Sequence, residues 1–339
     1  MSVSANRKTL MLLKPRGFCA GVVRAIDIVR IALETFGPPI YVRKEIVHNR
    51  YVVEELAAKG AVFVDEVTEV PDGERVIYSA HGVAPEVREA SRQRHLRVID
   101  ATCPLVTKVH VEAVRFAREG YALILIGHHY HDEVIGTLGE APSVTRVVGS
   151  PEDVEKLMVP DPDRVAYLTQ TTLSLDETKD IIEALQRRFP NIKGPTAQDI
   201  CYATENRQTA VKHVAAEAQL LLVVGSVNSS NSNRLVEVAR NLGTPSHLIE
   251  NFRAIQPEWL EGVQTLALTA GASAPECLVE EAVSFLVAKG FSDVREVEVM
   301  PENVRFGLPP EIVQAISGDR DAGQGFVEES DLPIIGAES

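Results

Sequence analysis

Short apolar runs along the chain alternate with longer stretches in which apolar residues recur every three or four positions. These are the signatures of strands and of amphipathic helices. Strand and helix follow one another in turn, which predicts parallel βαβ units and an α/β fold. The pattern also repeats three times. Each copy opens on a cysteine and a helical stretch: Cys19 with AGVVRAIDIVRIALETFG, Cys103 with PLVTKVHVEAVRFAREG, and Cys201 with YATENRQTAVKHVAAEA. A short strand with a polar end follows in each: IYVRKEIVHN, YALILIGHHYHDE and LLLVVGSVNSSNSN. A second strand with a small polar end comes later: VIYSAHG, VAYLTQTTLS and TLALTAGAS. In the first two copies a further strand, read in RVIDATC and IKGPTAQDIC, runs into the next cysteine.

The offsets are parallel. From the cysteines to the first polar cluster they are 29 to His48, 28 to His131 and 28 to Ser229; to the second they are 62 to His81, 68 to Thr171 and 72 to Ser273. In parallel sheets, ligand-binding residues gather at the carboxyl ends of the strands. Three similar α/β domains with small parallel-type sheets, arranged pseudo-threefold, would bring the three cysteines to one centre. The expected boundaries are 19–102, 103–200 and 201–305. The N-terminal strand, 9–18, is expected to join the third sheet and close the circle. The tail 317–339 is acidic and Gly-rich, and is expected to be disordered.

Composition narrows the setting. With 45% hydrophobic and 24% charged residues in 339, the chain can build a packed core. A net charge of −14 disfavours non-specific nucleic-acid binding. No apolar run is long enough to span a membrane, and the N-terminus lacks a secretory pattern. A cytoplasmic enzyme is expected. Four cysteines in that compartment do not read as structural disulfides, and no C-x-x-C pair is present. Buried, inert cysteine is the ordinary fate of each one alone. Three of them at helix starts, where the dipole favours a thiolate, read instead as a metal site. Cys277, inside a helix with no counterpart in the other copies, reads as a packing residue.

Zinc with one histidine and an iron–sulfur cluster with one open iron both suit three cysteines. Structural zinc usually takes close cysteine pairs, so the cluster is the better match. The strand ends offer His48, Asn49, His81, His131, Thr171, Ser229, Ser230, Asn231 and Ser273, all neutral or cationic hydrogen-bonding groups. Such a set complements a multiply charged anion such as a diphosphate. NSSNSN and TQTTLS also suit helix capping, so the case rests on their equivalent positions. Glu133 stands apart as an acid two residues from His131 and is the candidate proton relay. Asp132 is expected to point elsewhere if this segment is extended.

Taken together, PRGFCAGVVRAI, EIVHN, SAHGV, DATCPLVTKVH, IGHHYHDEVIGT, TQTTLS, DICYATENRQ, GSVNSSNSNR and TAGASAP resemble the 4-hydroxy-3-methylbut-2-enyl diphosphate reductases, over residues 10 to 305. The resemblance implies a [4Fe–4S] cluster on Cys19, Cys103 and Cys201 with one open iron. It implies diphosphate binding by His48, His81, His131, Ser229, Ser230, Asn231 and Ser273. Glu133 and Thr171 would serve the substrate hydroxyl. Ferredoxin or flavodoxin would supply electrons, and the products would be isopentenyl and dimethylallyl diphosphate. Two other readings compete: a cluster-dependent hydro-lyase, expected to need an arginine clamp, and a non-catalytic cluster-bearing sensor.

Overall fold

A computed structural model describes residues 7–317 of the chain. The expectation for the tail therefore lies outside the described residues beyond Ser317. The chain begins with β1 (Thr9–Lys14) and α1 (Ala20–Phe36). Then come β2 (Ile40–Arg43), α2 (Arg50–Ala58), β3 (Ala61–Val64), β4 (Arg75–Tyr78), α3 (Pro85–Gln93) and β5 (Arg97–Asp100). The middle third contains α4 (Pro104–Arg118), β6 (Ala122–Ile126), α5 (Asp132–Glu140), β7 (Thr145–Val148), α6 (Pro151–Glu155), β8 (Val165–Thr169) and α7 (Leu175–Arg188). The last third contains α8 (Tyr202–Val214), β9 (Leu220–Val224), α9 (Ser230–Asn241), β10 (Ser246–Ile249), β11 (Thr265–Ala270), α10 (Glu276–Ala288), β12 (Asp293–Glu298) and α11 (Pro310–Ile316).

The strands form three parallel sheets, ordered β3-β2-β4-β5, β7-β6-β8 and β10-β9-β11-β1-β12. The expected α/β class, with small parallel sheets, holds. Strands buried on both faces read as unbroken apolar runs, and Leu220–Val224 is buried at every position. β1 lies between β11 and β12, with Leu10 beside Leu266 and Val294. One order recurs: β3-β2-β4-β5 in the first sheet matches β10-β9-β11-β1 in the third, with the last strand leading to a cysteine in both.

The second sheet lacks that last strand, which corrects the reading of IKGPTAQDIC. Only Lys193 pairs there, as an isolated bridge to Ala166. Pro195 has no N–H to extend a ladder. The carbonyls of Ala197 and Gln198 are taken by the Lys108 ammonium instead.

Each cysteine caps a helix: Cys19 for α1, Cys103 for α4 and Cys201 for α8. Each cysteine amide also docks just past the end of a second-cluster strand. Cys103 N–H donates to Ala80 O at 3.0 Å, Cys201 N–H to Thr171 O at 3.0 Å, and Cys19 N–H to Ala272 O at 3.1 Å. The same bond, made three times around the molecule, turns the three sheets toward one centre. Among the described residues no helix is long and apolar enough to cross a membrane.

Candidate functional site

The centre is lined by thiols. Cys19, Cys103 and Cys201 are free and partly buried. Burial, reinforced by the Cys19 thiol, pushes Cys103 up to about 12, while the amides of Leu105 and Val106 pull the other way. The same causes push Cys201 up to about 11, although the Thr204 hydroxyl and amide both reach its sulfur. Gly21, in the first turn of α1, faces this cluster. A Cβ there would stand 2.8 Å from the Cys103 sulfur and 3.8 Å from that of Cys19. Glycine thus keeps open the space that a group bridging the thiols would use. Cys277 sits apart in α10, packed against the core of the third sheet.

Beside the thiols, three imidazoles meet. His48 and His81 stack with ring centroids 4.0 Å apart and planes at 18°, and His131 stands edge-on to both at 5.3 and 5.8 Å. Bonds from an imidazole to a metal lie in the ring plane, so the two stacked rings cannot both face one ion. Burial and the neighbouring rings hold His81 well below the usual histidine range. His131 is lowered to about 3, chiefly by burial. As N-cap of α5, His131 accepts the Glu133 amide on Nδ1, so its neutral form carries the proton on Nε2.

The third sheet completes the wall. Ser229 caps α9, accepting from Ser232 N–H, and lies 3.4 Å from the Ser273 hydroxyl. Ser273 donates to the His48 carbonyl at 2.9 Å. Asn231 accepts from Ala272 N–H and donates to Thr204, whose hydroxyl touches the Cys201 sulfur. This links the polar wall to a thiol in two steps. Ser230 donates to Thr172 O, tying the wall to the second sheet. Asn49 is buried and caps α2, accepting from Val52 N–H.

Glu133 is 2% exposed. Thr171 gives it two hydrogen bonds, the amide to Oε1 at 2.6 Å and the hydroxyl to Oε2 at 3.1 Å. Burial outweighs both bonds and, helped by the charge of Asp199, pushes the carboxyl up to about 7. A carboxyl so poised exchanges a proton near neutral pH.

The segment around it is not extended, which corrects the reading of Asp132. Both acids lie in the first turn of α5, where acids complement the helix dipole. Asp132 does not point away from the site: its carboxylate, His48 and His81 offer atoms within 4.8 Å of one another. Two further residues escaped the sequence reading. Glu45 accepts from His48 Nδ1 at 3.1 Å and from Asn228 at 2.7 Å. Gln170, buried, binds His128 N–H, the Thr172 hydroxyl and Ser230. The cysteine-amide bonds also adjust one equivalence. Ala80, Thr171 and Ala272 are counterparts, so the position matching His81 and Ser273 is Thr172.

Fold and site together define a class: a three-sheet α/β protein with a thiol-lined centre beside an acid and an anion-complementary wall. The chain belongs to the LytB protein family, which matches residues 10–287. The 4-hydroxy-3-methylbut-2-enyl diphosphate reductase of Acidothermus cellulolyticus is 56% identical over 307 residues, 90% of either chain. That of Azoarcus sp. is 54% identical over 310 residues, 91% of this chain and 99% of the other. The solved Plasmodium falciparum E-1-hydroxy-2-methyl-but-2-enyl-4-diphosphate reductase superposes with a TM-score of 0.90 at 41% identity, covering 92% of this chain and 99% of that one. A solved (E)-4-hydroxy-3-methyl-but-2-enyl diphosphate reductase, the terminal enzyme of the non-mevalonate pathway, gives 0.59 at 33% identity, covering 83% and 99%.

Proposed function

We propose that this chain reduces 4-hydroxy-3-methylbut-2-enyl diphosphate. The substrate takes up two electrons and two protons, loses its hydroxyl as water, and yields isopentenyl and dimethylallyl diphosphate. Cys19, Cys103 and Cys201 are the protein ligands of a [4Fe–4S] cluster, one iron of which carries no protein thiolate. When bound, that group supplies electrons and a Lewis-acidic site for the substrate hydroxyl.

The residues fit such a group. Burial raises the proton affinity of the Cys103 and Cys201 thiols, and coordination to a cation would reverse that by deprotonating them. Gly21 leaves room between two of the sulfurs. On the wall, Ser229, Ser230, Asn231 and Ser273 offer short polar donors, and His48, His81 and His131 add imidazole N–H groups. Together they hold and orient the diphosphate. Glu133, steadied by Thr171, holds the proton that converts the departing hydroxyl to water. Arg24 and Arg234 are engaged with Thr102 and Gly307 and with Glu177 and Glu237, so neither serves as the carboxylate clamp a hydro-lyase would need.

The same proposal divides the chain into units 19–102, 103–200 and 201–305, with 9–18 added to the last sheet. Ferredoxin or flavodoxin is the electron donor, and the setting is the cytoplasm, where free thiols stay reduced. The observation that carries the reading is the meeting of three helix-capping thiols beside the Glu133–Thr171 pair. Anaerobic turnover of the allylic diphosphate with a reduced dye tests it. Both isoprenoid products are expected. A protein holding iron and sulfide but forming neither product would overturn it.

A further inference from the structure

Each helix that starts at one cysteine carries a basic side chain that reaches the loop leading to the next. Arg24, on α1 after Cys19, donates to Thr102 O at 3.0 Å, one residue before Cys103. Lys108, on α4 after Cys103, donates to Ala197 O at 2.5 Å, Gln198 O at 3.2 Å and the Asp199 carboxylate at 2.9 Å, just before Cys201. Arg207, on α8 after Cys201, donates twice to Gly17 O, at 2.6 and 3.2 Å, two residues before Cys19. The three contacts run in one sense around the molecule and close three different junctions.

We propose that Arg24, Lys108 and Arg207 form a ring of positioning clamps that keeps the three cysteine loops in mutual register. The second sheet shows the need most clearly. The stretch before Cys201 has no strand ladder beyond Lys193, and Lys108 binds the carbonyls a strand would have used. In the other two junctions a strand delivers the loop, and the arginine holds its last turn. Arg207 is fully buried, and its charge is met by Glu302 of the segment after β12. Arg24 grips the same segment at Gly307 O, at 2.7 Å. Bonds from a charged donor are stronger than neutral ones, and each clamp directs them to backbone carbonyls in the loop that leads to a thiol. The clamping is independent of what the thiols bind. Its effect on a cluster rests on the function proposed above.

The ring makes a directional prediction that ordinary packing does not. Each substitution should loosen the next cysteine's loop, not the loop of its own helix. Hydrogen exchange by mass spectrometry on the full-length, anaerobically purified protein reads this. Arg24→Gln should speed exchange at Thr102–Cys103, and Lys108→Met at Gln198–Cys201, each about ten- to a hundredfold, while the other loops stay as in the parent. Arg24→Lys should restore much of the protection. Arg207→Lys is the mild test at Gly17–Cys19. If it fails to fold, the other two arms decide the matter. An iron and sulfide count separates the two claims: iron-free protein would sink the cluster reading while the exchange pattern still judged the clamps. Exchange that rose equally in all three loops, or only in the substituted helix, would overturn the ring.

Discussion

The thiol centre and the anion wall occupy the same ends of the same sheets, yet they are built by opposite rules. The centre is symmetric: three cysteines, three helix caps, and one amide bond repeated at Ala80, Thr171 and Ala272. The wall fills equivalent positions with different chemistry, His48, His131 and Ser229 at one level and His81, Thr172 and Ser273 at the other. A threefold array of thiols suits a compact inorganic group. A substrate with a diphosphate at one end and a hydroxyl at the other needs an asymmetric wall, and the acid proposed to serve the hydroxyl end occurs in one unit alone.

Breaking the symmetric half should cost most. Cys103→Ser removes one of the three proposed ligands, so iron and sulfide should fall to near background and turnover with them. Cys277→Ser, off the ring, should leave both intact. Normal iron in anaerobically purified Cys103→Ser would end the equivalence.

The acid comes next. Glu133→Gln keeps the shape of the hydrogen-bonded pair but cannot give a proton, and general acid catalysis contributes roughly 100- to 10,000-fold. Turnover should fall at least about a hundredfold, with iron content and substrate binding retained. The carboxyl, raised to about 7 in the folded chain, is protonated below that pH. The parent kcat/KM should therefore decline as pH rises through about 7, and the variant should lose that limb. Because this folded value lies above the usual one, Glu133 favours folding fully at pH below the unfolded carboxyl's range. That contribution is lost as pH rises toward about 7. Near-normal turnover would assign the proton to another group.

On the wall, alanine at Ser229, Asn231, Ser273 or His131 removes one bond to a charged ligand, worth about 1.5–3 kcal/mol. Affinity measured by calorimetry should drop about ten- to a hundredfold in each. Unchanged affinity in most of them would move the diphosphate elsewhere.

The smallest effect concerns protons. His81 and His131 are held neutral by burial and, secondarily, by His48. A multiply charged anion raises them again, so binding should take up protons and tighten as pH falls from 7 to 6, by up to about tenfold per proton taken up. Equal binding enthalpies in buffers of different ionisation heat would refute the uptake.

The repeated unit was legible because cysteine, helix and polar strand end recur at nearly constant offsets. Offsets alone could not align Thr171 with Ala80 and Ala272, since loop lengths differ between copies and only the cysteine-amide bond fixes the match. Periodicity suggested a strand before Cys201, but Pro195 and the reach of Lys108 replaced its ladder with a single bridge. HHYHDE read as an extended end. His131 instead caps a helix that starts at Asp132, which turns one acid inward to Thr171 and the other toward His48 and His81. Gln170 and Glu45 act through partners distant in sequence, such as His128 and Asn228, and no local pattern signals that.

The most direct test of the account is a Mössbauer spectrum of anaerobically purified protein with iron and sulfide counts, before and after adding the allylic diphosphate. The account predicts a four-iron cluster per chain in which one iron alone shifts on substrate addition. Bound zinc in place of iron, or four irons that all ignore the substrate, would contradict it.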